Sequence, residues 1–346
     1  MNIRQAIAAI IDKDNLQEQQ MYEVMNEIMS GECTPAQIGS FLTGLRMKGE
    51  TVEEVTGAVR VMREKVTAIE TGIDTESGGI VVDTCGTGGD GSNTFNVSTA
   101  TSFVAAGCGV VVAKHGNRSV SSTCGSADVL EALGVNLALS AEQVGECIKK
   151  IGIGFLFAPA LHGAMKHAIG PRKELGIRTI FNILGPLTNP AGANAQVLGV
   201  FSKDLTRPLA EVLAKLGSRR ALVVHGEGNL DELTVTGETS ISELCDGQIS
   251  SYSLTPEEVG LGRYELTELS GGSNAMEAAE IFKSVLSGEE GARKDMVLLN
   301  SAAALLVAEK VTDMVSGVTM AQDCIDSGAA MEKLSELINF STVIGS

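Results

Sequence analysis

Bases are scarce in this sequence. It has 26 lysines and arginines against 43 acids, a formal net charge of −17, so it has no general basic surface on which a phosphate backbone could lie. A small anionic substrate is still admissible, provided its site supplies positive charge, backbone N–H groups or metal ions. No unbroken apolar run approaches the ~20 residues of a membrane span, and Met1–Ile7 leads into acids at Asp12 and Asp14 instead of a secretory leader. The seven cysteines are odd in number and form no CxxC, and the four histidines form no HExxH. They read as reduced, small apolar residues of a cytoplasmic protein, not as a disulfide or zinc framework. Low-complexity tails and fixed-period repeats are also missing.

Apolar material is plentiful: 44% of 346 residues, enough for one large domain or two unequal ones. The first seventy residues read as helices. Asn15 with Glu18 is a capping pattern, Thr34-Pro35-Ala36-Gln37 a stronger one, and Thr51-Val52-Glu53-Glu54 repeats it. Such short amphipathic helices must pack as a layer against the rest of the chain or a second subunit.

Beyond Gly79 the texture changes. Ile80–Val82, Val110–Ala113, Phe155–Phe157, Val197–Val200 and Ala221–Val224 are short apolar runs without helical period. Helical stretches at 98–107, 126–134, 141–150 and 204–216 separate them. This alternation predicts an α/β fold whose central sheet is mostly parallel or mixed and covered on both faces. Residues 160–188 read as helices again and are expected to rejoin the N-terminal ones in space. The expected division is a helical domain of 1–70 completed by 160–188, and an α/β domain of 71–346. Asn274–Leu286 and Arg293–Glu309 add helices near the end.

Four clusters lie at expected strand ends. Gly86-Thr87-Gly88-Gly89-Asp90-Gly91 follows the first run, and Asn96-Val97-Ser98-Thr99 then opens a helix. Glycine at that density brings N–H groups to bear on phosphate oxygens, and a helix start adds more. The alternative is a plain turn. The spacing is neither GxGxxG nor the GK[ST] of a triphosphate loop. Lys114-His115-Gly116-Asn117-Arg118-Ser119 follows the second run, with Ser121 and Ser122 beyond, and is expected to face the same anion. His115 alone reads as a structural hydrogen-bonder before a general base. Asp231-Glu232 is either surface charge or a seat for Mg2+. Arg172, in Pro171–Thr179, is a candidate clamp for a second anion; Arg178 reads as a structural pair or carbonyl tie.

With Gly125-Ser126-Ala127-Asp128 and Gly185-Pro186-Leu187-Thr188-Asn189-Pro190 added, these blocks resemble the anthranilate phosphoribosyltransferases over most of the chain. The resemblance implies the fold shared with nucleoside phosphorylases and a homodimer formed through the helical parts. It implies phosphoribosyl diphosphate (PRPP) and anthranilate as substrates in tryptophan biosynthesis, with Mg2+ as two ions. Around PRPP it places Gly86, Thr87, Gly88, Gly89, Asp90, Thr94, Asn96, Val97, Ser98, Thr99, Lys114 and Ser122. Around anthranilate it places Gly86, His115, Asn117, His162 and Arg172; Ser98, Asp231 and Glu232 fall to the metal. The catalytic group is Lys114, Asn117, Arg172, Asp231 and Glu232. Leu161 and Gly163 stand where many relatives carry His and Pro, and Thr123-Cys124 replaces a basic residue followed by Ser. The competing readings are a pyrimidine nucleoside phosphorylase, disfavoured by His115-Gly116-Asn117-Arg118, and a nucleic-acid-binding relative, disfavoured by the charge; neither nucleic acid nor membrane is an expected partner.

Overall fold

A computed structural model describes residues 1–89, 91–118 and 124–345. Four helices open the chain: α1 (Ile3–Ile11), α2 (Glu18–Ser30), α3 (Pro35–Lys48) and α4 (Val52–Lys65). Thr34 and Thr51 each accept the N–H three residues on, while Gln37 and Glu54 reach back to the cap, satisfying donors a helix start leaves open. Gln17 stands at the cap of α2, one residue before its first turn, where the sequence suggested Asn15. Asn15 instead accepts a hydrogen bond from Lys48 Nζ at 2.9 Å. Glu54 does more than cap: fully buried, it accepts from the Leu16 N–H at 2.9 Å and from Lys48 Nζ at 2.9 Å. A buried carboxylate needs that many partners.

Among the described residues seven strands form one sheet: β1 (Val82–Gly86), β2 (Val112–Gly116), β3 (Ile153–Phe157), β4 (Ala195–Gly199), β5 (Arg220–Gly226), β6 (Thr239–Cys245) and β7 (Gln248–Leu254). Their order is β3-β2-β1-β4-β5-β6-β7, the first five parallel and the last two antiparallel. The sheet is therefore mixed. The β6–β7 hairpin was not foreseen, although its turn is Asp246-Gly247, both with positive φ (50° and 74°), a strong hairpin signal.

Two strands sit later than their apolar runs suggested. β1 begins at Val82, not Ile80, and β2 at Val112, not Val110, so Asp83, Lys114 and His115 lie inside the sheet. The apolar-run reading stopped at each first polar residue. These polar groups are bonded: Asp83 accepts the His115 N–H at 3.0 Å and the Asn189 amide at 2.8 Å.

One sheet face packs through Val82, Val112, Val197 and Leu222 against α5 (Val97–Gly107) and the buried helix Ala292–Val307. The other presents Leu198, Ala221 and Val223 to an apolar cluster that holds the helix Thr206–Lys215, α1–α4, and Phe181 and Leu184 from the 160–188 stretch. Among the described residues no helix is long and apolar enough to cross a membrane.

Candidate active site

The chain runs from β1 outward to β3, then returns to start β4 on the other side of β1. Ligands of open α/β sheets bind outside the carboxyl ends of the strands at such a reversal. Gly86 and Gly199 are register partners there, and the glycine loop leaves from Gly86.

The loop is held on several sides. Thr87 N–H donates to the Gly199 carbonyl at 2.9 Å, and the Thr87 hydroxyl accepts the Phe201 N–H at 3.1 Å. Gly88 and Gly89 adopt φ of 67° and 74°, angles that L side chains rarely take. The Gly88 N–H donates to Asp231 Oδ2 at 2.7 Å. Asp231 packs so tightly that a Cβ on Gly86 would strike its carboxylate and one on Gly199 its carbonyl. Asp90 lies outside the described residues, as do Ser121, Ser122 and Thr123.

α5 starts beside this loop. Thr84, in β1, donates to the Ser98 carbonyl at 2.9 Å, bringing the helix start against the strand that delivers the loop. Asn96 stands at the cap and spends its amide on the Cys124 carbonyl at 3.1 Å, so no side chain caps the first turn. Val97 and Thr99 are buried; Thr99 donates to Ser126 at 2.9 Å. Ser98 is half-buried at the second helical position. Thr94 bridges to Ser270, its hydroxyl 3.2 Å from that of Ser92.

The second cluster differs from its expected form. Lys114 and His115 are buried within β2 instead of following it, and Lys114 Nζ donates to the His115 carbonyl at 3.2 Å. Burial pushes the Asp83 carboxyl up, opposed first by the charge of Lys114. Arg118 does not join a shared anion crevice: it pairs with Asp128 and Glu131, both at 2.8 Å. Asn117 is exposed, with its Oδ1 accepting the Arg118 N–H at 2.7 Å.

His115 and His162 meet, Nε2 to Nε2, at 3.1 Å. Burial lowers His115 to about 3, helped by His162 and Lys114, and burial lowers His162 to about 4. Both rings are neutral at pH 7, so one Nε2 donates and the other accepts. Leu161 beside them is buried, while Gly163 has open space where a side chain would stand.

Arg172 projects from the last turn of the helix Lys166–Leu175, half-buried, its guanidinium 5.0 Å from the centre of the Phe181 ring. Among the described residues no carboxylate lies within ion-pair distance of it, and it shares no hydrogen bond with Asn117. Glu232 is half-buried beside Asp231. That loop is anchored from behind by Asn300, which accepts the Leu233 N–H at 3.1 Å and donates to its carbonyl at 2.8 Å.

Sequence reasoning assigned no role to Asp83, Asn189 or Asn300. Asn300 has a legible signal, a lone amide in the apolar run Met296–Leu306. Asn189 was visible in its Pro-rich block without a partner to give it meaning.

Carboxylates and a hydroxyl are hard oxygen donors. Among the described residues no group of three or more His, Cys, Asp or Glu could enclose a metal. The oxygens of Asp231, Glu232 and Ser98 are of the kind taken by Mg2+, a cation that keeps water and takes phosphate oxygens.

Residues 4–66 match the helical bundle domain of the glycosyl transferase family and residues 78–331 its a/b domain. The anthranilate phosphoribosyltransferase of Desulfotalea psychrophila is 60% identical over 340 residues, covering 98% of this chain and 97% of that protein. The crystal structure of the Thermus thermophilus anthranilate phosphoribosyltransferase superposes with a TM-score of 0.91 at 44% identity, over 97% of this chain and 99% of that one. The Saccharomyces cerevisiae enzyme, solved in complex with PRPP and Mg, gives 0.88 at 28% identity, over 99% of this chain and 98% of that one.

Proposed function

The chain belongs to the anthranilate phosphoribosyltransferase family, and we propose that it works by holding PRPP at the glycine loop and anthranilate at Arg172. The enzyme transfers the 5-phosphoribosyl group of PRPP to the amino group of anthranilate in tryptophan biosynthesis. The observation that carries the division of labour is the bond from Gly88 to Asp231 at the β1/β4 reversal. That bond supports reading Asp231 as part of an acid seat for a divalent cation beside a loop that receives phosphate.

An aromatic amine is unprotonated near neutrality, so the nucleophile needs no strong base. The cost lies in separating charge as the C1–O bond breaks. Thr87 and Gly88 spend their N–H groups on Gly199 and Asp231, which shapes the loop. The Gly89 N–H and the start of α5, which no side chain caps, face the oxygens on which negative charge grows, and being fixed in advance they need no reorganisation. Lys114 adds its charge from within β2. Asp231 and Glu232, with Ser98, would hold Mg2+, which when bound neutralises the diphosphate as it leaves.

Arg172 offers a planar fork to the anthranilate carboxylate, and its stack on Phe181 limits the directions the fork can take. Orientation of the amine toward C1 is its contribution. Asn117 and the neutral His115–His162 pair border the acceptor; with pKa values of about 3 and 4 neither ring is a ready base at pH 7 before it loses its partner. The proton goes to water or to the product diphosphate.

We also propose that residues 160–188 complete the helical unit of 1–70, supported by the shared apolar cluster. A homodimer through that layer is supported by the exposed side chains of Ile11 and Met47. A cytoplasmic location is supported by seven cysteines that form no disulfide.

Purified protein given anthranilate and PRPP should consume anthranilate only when a divalent metal is supplied, and release one diphosphate per anthranilate lost. Turnover undiminished by a chelator would remove the metal from the scheme.

A further inference from the structure

Gly176 ends the helix that carries Arg172, adopting φ of 62°. The turn sends the chain back so that Arg178, six positions beyond Arg172, meets the glycine loop. Its Nη2 donates to the Gly89 carbonyl. The same guanidinium lies 4.2 Å from the centre of the Phe201 ring. The Phe201 N–H in turn donates to the Thr87 hydroxyl at 3.1 Å. Arg178 and Phe201, in contact with each other, thus hold the loop at residues 87 and 89, on either side of the Gly88 N–H that donates to Asp231.

We propose that Arg178 is a positioning residue for the donor: it fixes the Gly89 peptide so that the loop keeps its phosphate-receiving form. The inference rests on assigning the glycine loop to PRPP. Glycine peptides at positive φ turn over readily, and a carbonyl turned toward the diphosphate would repel it. A guanidinium holding that carbonyl opposes the turn with a charge-assisted bond, and the aromatic face beneath keeps the guanidinium in plane. Arg178 touches neither substrate in this scheme. It also ties the segment bearing the acceptor's Arg172 to the donor's loop.

The test uses the full-length enzyme with Mg2+ and separate KM measurements for PRPP and anthranilate. Arg178→Gln keeps a donor for the carbonyl but loses the charge and the stack; PRPP KM should rise about tenfold, the loss typical of a bond to a charged group, while anthranilate KM and the melting temperature hold. Arg178→Lys should recover part of the loss. Phe201→Leu, which leaves Arg178 in place, should give a smaller rise confined to PRPP. It serves as the second reading if Arg178→Gln does not fold.

Gly88→Ala is the control for the underlying assignment. A raised PRPP KM in Gly88→Ala with none in the Arg178 and Phe201 variants would overturn the role of Arg178 alone. No rise in any variant would overturn the donor loop as well. Equal losses for both substrates with a lowered melting temperature would make Arg178 a structural tie.

Discussion

Asp231 Oδ2 accepts the Gly88 N–H at 2.7 Å, joining loops that lie 143 positions apart in the chain. One carboxylate thus shapes the glycine loop, and in the proposed function it also takes a cation. Asp231→Asn separates the two roles, since an amide oxygen can still accept from Gly88 but carries no charge. In Asp231→Asn/Glu232→Gln the melting temperature should stay close to wild type. Turnover should fall by roughly a hundredfold or more, because metal stabilisation of the leaving group is worth several kcal/mol. A magnesium titration checks it; near-normal rates at ordinary Mg2+ would refute the seat.

Gly86 tests the same contact sterically. A methyl there would strike the Asp231 carboxylate, whereas one on Gly39 in α3 meets nothing within 4 Å. Gly86→Ala should lose about 1–3 kcal/mol of stability, as overpacked sites do, and need more Mg2+ for half-maximal rate. Gly39→Ala should gain about 0.5–1 kcal/mol from helix propensity and leave the metal requirement alone. Denaturant melts with magnesium titrations on both variants decide it.

The histidine pair gives a pH signature. Unfolded, each imidazole binds a proton near pH 6.5; folded, burial holds His162 neutral to about 4 and His115 to about 3. Between those limits the unfolded chain binds more protons, so stability falls as pH falls below 6.5 and is fully present above it. The slope is about 1.4 kcal/mol per pH unit for each ring. His162→Gln should flatten the wild-type slope between pH 6 and 5 by about one proton's worth. An unchanged slope would mean that His162 already titrates normally in the fold.

The parallel half of the sheet was legible because its apolar runs alternate with helices of fitting length. The boundaries of β1 and β2 were not, because Asp83, Lys114 and His115 look like loop chemistry until Asn189 and the neighbouring strand supply their partners. Those partners lie 106 and 32 positions from Asp83, beyond the reach of any local pattern. The glycine loop, Asp231 and Arg172 stood out by composition as candidates, and their roles belong to the proposed function. Arg118, from an equally suggestive block, proved to be committed to Asp128 and Glu131, acids of the following helix. Arg178 was legible as a carbonyl tie, but only the fold reveals that the carbonyl belongs to Gly89.

The central claim is that donor and acceptor are recognised by different parts of the chain, and paired kinetics on Gly88→Ala and Arg172→Ala test it most directly. Losing the Arg172 fork should lower kcat/KM for anthranilate by about ten- to two-hundredfold, as expected for a charge-assisted, bidentate contact, with PRPP KM little changed. Gly88→Ala, forced from φ of 67°, should do the reverse. The expected result is this opposite pattern in two variants that melt near the wild-type temperature. Equal losses for both substrates in both variants would contradict it.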